Sequence, residues 1–219
     1  MAGLGPLVPR AAHRAGGLLL IATVEFTAAM GIAQAGYPGY SDVTNAISDL
    51  GNSNRSPWFL VFNTALVAFG LIGLWATAWL VPAFRPKTTA RVGLVILAAA
   101  FIGAIGVGLA PEEVHPSWHA GFAFLAFLGS GLALLFLALA MLRDTRWEGM
   151  RLYTAVSGAI VLGAIAALLS IGTSSVEFGA VERVVVAPAL VWMGVAGVHL
   201  WRMPVYDPTG ARTTEPSNG

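Results

Sequence analysis

The sequence predicts an all-α fold, a polytopic transmembrane bundle of six helices. The chain has 219 residues, of which 57% are hydrophobic and 11% are charged, whereas soluble domains average about 25% charged residues. Six apolar runs alternate with short polar segments, and each run can cross roughly 30 Å of hydrocarbon as a helix that rises about 1.5 Å per residue. The composition therefore excludes a soluble globular domain.

The distribution of Lys and Arg predicts the orientation of the bundle. Arg55 and Arg183 fall on one side of the predicted membrane, and the other ten of the twelve basic residues fall on the opposite side. Because basic loops stay in the cytoplasm, we expect a multi-pass protein of the cell membrane with both termini cytoplasmic. The ten are Arg10, Arg14, Arg85, Lys87, Arg91, Arg143, Arg146, Arg151, Arg202 and Arg212.

The first apolar run follows a basic cytoplasmic leader, residues 1–13, and occupies residues 14–35. A basic start, an apolar core and the sequence Ala-Gln-Ala at 33–35 also resemble a cleaved secretory signal, and that alternative stays open. The run opens a six-helix transmembrane domain, residues 14–202. The polar tail, residues 203–219, is expected to be disordered.

Five further spans follow the first. Pro57 suits the first turn of the second span, where a missing N–H costs nothing. Gly103, Gly106 and Gly108 fit the third span for close helix packing, because small residues let membrane helices approach. The predicted spans are about 57–81, 92–110, 118–142, 152–171 and 180–201.

The longest polar interruption, residues 37–51, predicts a short extracytoplasmic helix in the first outer loop. Ser41 is a good N-cap residue, and Gly51 suits the position after the last turn. On a helix, Asp42, Asn45 and Asp49 share one face. The alternative is a capped amphipathic linker whose acids simply face water.

The outer ends of the helices carry the candidate ligand-binding residues. Arg183 is expected either to bridge to a carboxylate, such as Asp42 or Asp49, or to hold a phosphate or carboxylate of a ligand. Neighbouring residues on a helix point about 100° apart, so Glu182 needs a separate partner. The candidates are Asp42, Asn45, Ser48, Asp49, Glu112, His119, Glu182 and Arg183.

Two histidines suggest a metal site. His115 and His119 are spaced i, i+4, as are two ligands on one helical face, and with Asp49 they would resemble a hydrolytic divalent-metal site. Pro116 fits the first turn of the fourth span and makes His115 a cap residue. The alternative is therefore a pair of interfacial histidines without a metal.

Glu25 lies in the middle of the first span, about 16 Å along the helix. An ionisable side chain at that depth is costly and often functional. The alternative is a protonated Glu that is hydrogen-bonded inside the bundle.

Three functions compete. The first is an outward-facing polar cavity that binds or handles a lipid or lipid-like amphiphile without chemistry. The second is a metal-dependent membrane lipid hydrolase that uses the outer His and Asp residues. The third is a small proton-coupled transporter with Glu25 as the carrier. The sequence lacks a basic stripe with interleaved aromatic residues, so we expect no nucleic-acid partner. The oligomeric state is left open.

The segment YPGYSDVTNAISDLG at 37–51, with the Ser-Pro-Trp that opens the second span, resembles the signature of a prokaryotic membrane family known as domain of unknown function 998. Pro111, Glu112 and His119 fit the same pattern, as do Glu182 and Arg183. The resemblance implies a six-helix bundle and brings no settled activity. A more distant likeness, through Ile-Ser-Asp, is to eukaryotic Frag1/DRAM/Sfk1-type proteins, some of them linked to remodelling of lipid anchors.

Overall fold

The computed structural model describes residues 8–171 and 178–206. Within these ranges six helices are long and apolar enough to cross a membrane, so the predicted all-α multi-pass architecture is confirmed. The helices are α1 (Arg10–Ala35), α2 (Phe59–Leu80), α3 (Thr88–Leu109), α4 (Pro116–Ala140), α5 (Met150–Ile171) and α6 (Phe178–Arg202). Short 3₁₀ segments lie at Ser48–Gly51, Val81–Ala83 and Thr145–Trp147.

The six helices form a closed ring. Each helix packs against the next one along the chain, and α6 returns to pack against α1. A two-residue strand β1 (Val8–Pro9) pairs in parallel with β2 (Val205–Tyr206) beside this seam. We call this end of the bundle the terminal end. The opposite end, with the loop of residues 36–58, is the mouth end.

The first helix extends beyond its predicted span. It begins at Arg10, four residues before the predicted start at residue 14. Within it, the guanidinium of Arg14 lies over the ring of Trp79, 5.3 Å from the centroid. The first part of the leader, Glu177, Arg212 and the tail beyond residue 206 lie outside the described residues.

Glycines allow the close helix contacts that the sequence predicts. A Cβ atom added to Gly103 would lie 2.6 Å from the backbone N of Ala126 on α4. At the seam between α1 and α6, a Cβ on Gly16 would lie 2.8 Å from the carbonyl O of Gly197, and a Cβ on Gly197 would lie 2.9 Å from that of Gly16. The ring therefore closes through backbone contact at a pair of glycines.

A buried carboxylate fixes the loop between α4 and α5 at the terminal end. Asp144 accepts hydrogen bonds from the N–H (3.2 Å), Nε (3.0 Å) and Nη2 (2.8 Å) of Arg146. Burial alone would raise the pKa of Asp144, but these hydrogen bonds and the charges of Arg146 and Arg85 lower it below its ordinary value. Next to it, the indole N–H of Trp147 donates to the carbonyl of Ala83 at 3.2 Å.

Replacing Gly197 by Leu should open the seam and destabilise the bundle, because the side chain would have to displace the backbone of α1. We expect a loss of about 1–3 kcal/mol, as for other overpacked cores, measured as a lower thermal midpoint of the purified protein. Gly163→Leu is the matched control, since a Cβ at Gly163 meets no atom within 4 Å. Equal effects of the two variants would contradict closure through glycine contact.

The stability that Asp144 contributes should depend on pH. Because its pKa is lowered in the folded state, the contribution is complete above the ordinary pKa of about 4 and is lost as the pH falls through the lowered native pKa. Asp144→Asn should therefore lose less stability than the wild type as the pH is lowered below about 4. Glu148→Gln, an exposed neighbour, should keep the wild-type slope in the same thermal-denaturation series.

Candidate functional site

A cavity of about 130 Å³ lies inside the ring of helices. One water-sized group needs roughly 10–15 Å³ on this measure, so the cavity has room for about ten such groups. Helices α1 to α4 and α6 line it, mainly with apolar side chains, and its polar lining residues are Ser48, His119, Ser130 and Glu182. Apolar residues of the wall include Phe26, Phe62, Phe101, Phe127, Trp192 and Met193.

The loop of residues 36–58, which we call the cap, closes the mouth end of this cavity. The short helix predicted between Ser41 and Gly51 is not continuous, and the structure has a turn at 42–44 followed by the 3₁₀ segment Ser48–Gly51. The side chain of Asn45 explains the difference, because its Oδ1 accepts the N–H of Ser41 at 3.0 Å. Asn side chains that bond locally to the backbone compete with helix formation.

Two cap residues, Ile47 and Ser48, contribute directly to the cavity wall. The cap is also fastened to α2 from below, since the amide Nδ2 of Asn63 donates to the carbonyl of Gly51 at 2.9 Å. Leu50 is fully buried. The cap is therefore a packed part of the fold, with its own apolar contacts.

Arg183, in the second turn of α6, holds the cap in place. Its Nη1 donates to the carbonyls of Asn45 (3.0 Å) and Gly179 (2.8 Å). Its Nη2 donates to the hydroxyl of Tyr40 at 2.6 Å and pairs with Oδ1 of Asp42 at 2.8 Å. The ion pair with Asp42 is one of the carboxylate bridges predicted for Arg183.

Tyr40 completes this contact. Its ring lies 5.4 Å from the guanidinium carbon of Arg183, and its hydroxyl donates to the carbonyl of Ala46 at 3.1 Å. Burial raises the pKa of the Tyr40 hydroxyl, although the positive charge of Arg183 opposes the shift. Tyr40 therefore stays neutral and keeps the proton that it donates to the cap.

Glu182, adjacent to Arg183, is 5% exposed and makes a different contact. Its Oε2 accepts the N–H of Ile47 at 2.5 Å. The cap can approach this closely because residue 179 is a glycine, and a Cβ there would lie 2.1 Å from the carbonyl O of Asn45. Glu182 therefore both satisfies the backbone of the cap and lines the cavity.

The two cap aspartates are separated, in contrast to the predicted common face. Asp49 is buried, accepts Nδ2 of Asn45 at 3.2 Å and pairs with Arg55. Asp42 is exposed, and besides Arg183 it accepts Nε2 of Gln34 at 3.2 Å. The reason is that the chain does not stay helical between them, so the i, i+3, i+7 spacing no longer places them side by side.

The structure does not bring together the proposed metal ligands His115, His119 and Asp49. His119 donates from Nδ1 to the carbonyl of Ala110 at 2.9 Å, while His115 is exposed at the N-cap of α4. Over residues 8–171 and 178–206, no three His, Asp or Glu side chains form a group that could hold a metal ion.

The turn between α3 and α4 carries the other candidate acid. Glu112 is exposed, whereas its neighbour Glu113 fastens this turn to the cap. The Oε1 atom of Glu113 accepts both the N–H (2.8 Å) and the hydroxyl (2.6 Å) of Ser53. Burial acts to raise the pKa of Glu113, but hydrogen bonds to its carboxylate, chiefly from Ser53, and the nearby His119 together lower the pKa below its ordinary value.

Glu25 stands apart from the cavity. It is half-buried on α1, and its Oε2 has no hydrogen-bond partner in the described part of the chain. The cavity wall of α1 is formed instead by the adjacent Phe26. The alternative prediction for Glu25, a protonated side chain that is hydrogen-bonded inside the bundle, therefore finds no partner for Oε2 among the described residues.

Sequence reasoning missed several functional contacts. Tyr40, the partner of Arg183, carried no distinctive signal in a polar loop. Trp192 lines the cavity and donates its indole N–H to the hydroxyl of Thr154 at 2.8 Å. The contact of Asn63 with the cap could have been predicted, because a single Asn within an apolar run needs a buried hydrogen-bond partner.

A ring of membrane-type helices, an internal cavity and a packed cap together define a polytopic membrane protein with a capped cavity in its bundle. The chain belongs to the family described as Protein of unknown function (DUF998), whose profile matches residues 20–199. The predicted family is thus confirmed over nearly the whole bundle. Searches of curated proteins and of solved structures returned no match.

Arg183→Gln should loosen the cap, because two backbone carbonyls and Tyr40 would lose their donor. Breaking one partner of a buried charged contact typically costs about 3–5 kcal/mol, and the exposure of Asp42 places this case towards the lower figure. The measurement is the rate of trypsin cleavage after Arg55 in the purified protein, which should rise together with a fall in the thermal midpoint.

Asp42→Asn is the comparison, because Asp42 is mostly exposed and contributes one of the four contacts of Arg183. It should change the cleavage rate far less than Arg183→Gln. A cap that stays protected in Arg183→Gln would show that the guanidinium is not what holds it.

Proposed function

We propose that this protein binds an amphiphile, with the apolar chain of the ligand in the cavity and its head group at the mouth end beneath the cap. The observation that carries this proposal is the polarity of the cavity wall. Apolar side chains from five helices form most of it, and three of its four polar residues, Ser48, His119 and Glu182, lie at the mouth end, whereas Ser130 lies midway along α4. An apolar pocket with a few convergent polar groups is the usual form of a small-molecule site.

The polar groups favour a head group that donates hydrogen bonds. When ionised, Glu182 is only an acceptor, and in a neutral His119 whose Nδ1–H donates to Ala110 the Nε2 atom is also an acceptor. Two acceptors in a largely apolar site need a donor to satisfy them. A hydroxyl or amine head group supplies one, whereas an ester or an ether does not.

The orientation is part of the proposal. The excess of Lys and Arg at the terminal end supports a cytoplasmic location of both termini in the cell membrane. The cap would then lie on the extracytoplasmic side, and an amphiphile would reach the cavity from the outer leaflet. The basic leader and the polar tail would flank the bundle on the inside.

The two alternatives have less physical support. A metal-dependent hydrolase needs His115, His119 and Asp49 near one another, and in the structure they have separate surroundings. A proton carrier needs access from both sides, and Glu25 lies outside the cavity wall. The binding proposal uses the residues that the fold places together.

The test uses purified, delipidated protein and two probes, 1-decanol and its methyl ether. Both have the same chain and the same oxygen, but only the alcohol can donate a hydrogen bond. We expect 1-decanol to bind roughly fivefold more tightly in a thermal-shift titration, since one net hydrogen bond contributes about 1 kcal/mol.

Ala104→Phe should abolish binding of both probes, because Ala104 lines the cavity and a phenyl ring would occupy it. Ala28→Phe, which adds the same ring on the exposed side of α1, should bind both probes like the wild type. Binding that survives in Ala104→Phe would place the amphiphile elsewhere. Equal affinity for alcohol and ether would refute the head-group preference alone.

A further inference from the structure

A second concave surface lies outside the ring, on the face of α6 between α1 and α5. It has a volume of about 590 Å³, and its wall includes Thr23 of α1, Met150 of α5 and Gly194 of α6. Val191 and Val195 are 54% and 40% exposed, so the depression opens outwards. We call it the α6 groove. It shares no residue with the cavity wall described above.

Glycine at position 194 makes the groove deep. A Cβ atom at Gly194 would meet the Cγ2 of Thr23 at 3.5 Å and no other atom within 4 Å. The empty space is therefore bounded by α1 and left unfilled by α6 itself. Three valines and Met150 form its apolar wall, which suits a saturated hydrocarbon chain, while Thr23 and His199 are its uncharged polar lining residues.

The length of the groove matches one leaflet of a bilayer. It extends along α6 from Val191 to Arg202, and eleven residues of helix rise about 16 Å. That is half of the hydrocarbon thickness of roughly 30 Å. The groove therefore begins near the middle of the bundle and ends where α6 leaves the membrane.

The groove ends at an exposed arginine. Arg202 borders it and is exposed, and it makes no hydrogen bond or ion pair with any residue of 8–171 or 178–206. Arg151, which follows the groove residue Met150, is likewise exposed and unpaired within the described chain. A guanidinium group prefers a phosphate or carboxylate partner and can bind it in a bidentate manner.

We propose that the α6 groove is a binding site for an anionic phospholipid of the leaflet at the terminal end. One acyl chain lies against Gly194 and Val195, and the phosphate binds Arg202, with Arg151 adding to the positive field. The lipid differs in place and in head-group charge from the ligand of the cavity. The proposal stands whether or not the cavity binds an amphiphile.

A second copy of the chain is the competing occupant, and charge disfavours it. Two copies in the same membrane orientation would meet about a two-fold axis, which places identical surfaces against each other. Arg202 of one copy would then approach Arg202 of the other, and like charges at an interface cost affinity. An anionic lipid meets the same residues with opposite charge.

The test is lipid retention in nanodiscs of phosphatidylcholine and phosphatidylglycerol at roughly nine to one, read by native mass spectrometry of the ejected protein. We expect the wild type to retain phosphatidylglycerol in excess of its share. Arg202→Gln should lower that preference roughly fivefold, since one basic residue near an anionic surface contributes about 1 kcal/mol. Arg91→Gln, at an exposed position of α3, should retain the wild-type preference.

A steric variant tests the groove itself. Gly194→Leu should reduce retention of both lipids by filling the space for the acyl chain, whereas Gly163→Leu on the exposed side of α5 should not. An equal loss of phosphatidylglycerol preference in Arg202→Gln and Arg91→Gln would overturn the proposal, because the selectivity would then come from diffuse charge. Unchanged lipid retention in Gly194→Leu would overturn it as well.

The competing occupant has its own readout. The chain contains no cysteine, so Val195→Cys introduces a single reactive thiol at the groove. Little disulfide-linked dimer in membranes under mild oxidation is the result expected for a lipid-filled groove. Efficient cross-linking would place a second copy there and overturn the lipid proposal.

Discussion

The structure depends on one contact, the attachment of the cap to the first turns of α6 by Glu182 and Arg183. The cap contains backbone amides and carbonyls that are not paired in regular secondary structure, and such groups are costly away from water. Glu182 accepts the N–H of Ile47, and Arg183 donates to the carbonyl of Asn45. Adjacent acidic and basic residues thus satisfy one donor and one acceptor of the same short segment.

This attachment has a consequence for the cavity. Helices that pack in a ring leave a gap along the axis, which neighbouring side chains fill incompletely. In an open bundle, water would enter the gap, and the apolar walls would bind the chain of an amphiphile less tightly. With Ile47 and Ser48 held across the mouth end, the cap covers the gap at the end where His119 and Glu182 also line it.

Much of the fold was predictable, because membrane helices are encoded locally. Apolar runs, charged loops and the position of Pro116 locate the helices without knowledge of their partners. The cap was not predictable in the same way. Asn45 contacts Arg183, which lies 138 residues later in the chain, and capping rules that describe one segment cannot anticipate such a partner. The same limit applies to the proposed metal site, since the i, i+4 spacing of His115 and His119 could not show that Nδ1 of His119 is directed at Ala110.

Helix α6 shows why position on a helix face matters more than position along the chain. Glu182, Ala189 and Met193 face the cavity, at spacings of seven and four residues that keep one side of a helix. Gly194 and Val198 belong to the opposite, outer face. Residues 193 and 194 are neighbours in sequence, yet one forms the wall of the internal cavity and the other leaves the groove open. An apolar helix with no obvious amphipathic pattern can therefore carry two distinct surfaces, because in a membrane both faces are apolar and differ in shape and terminal charge rather than in hydrophobicity.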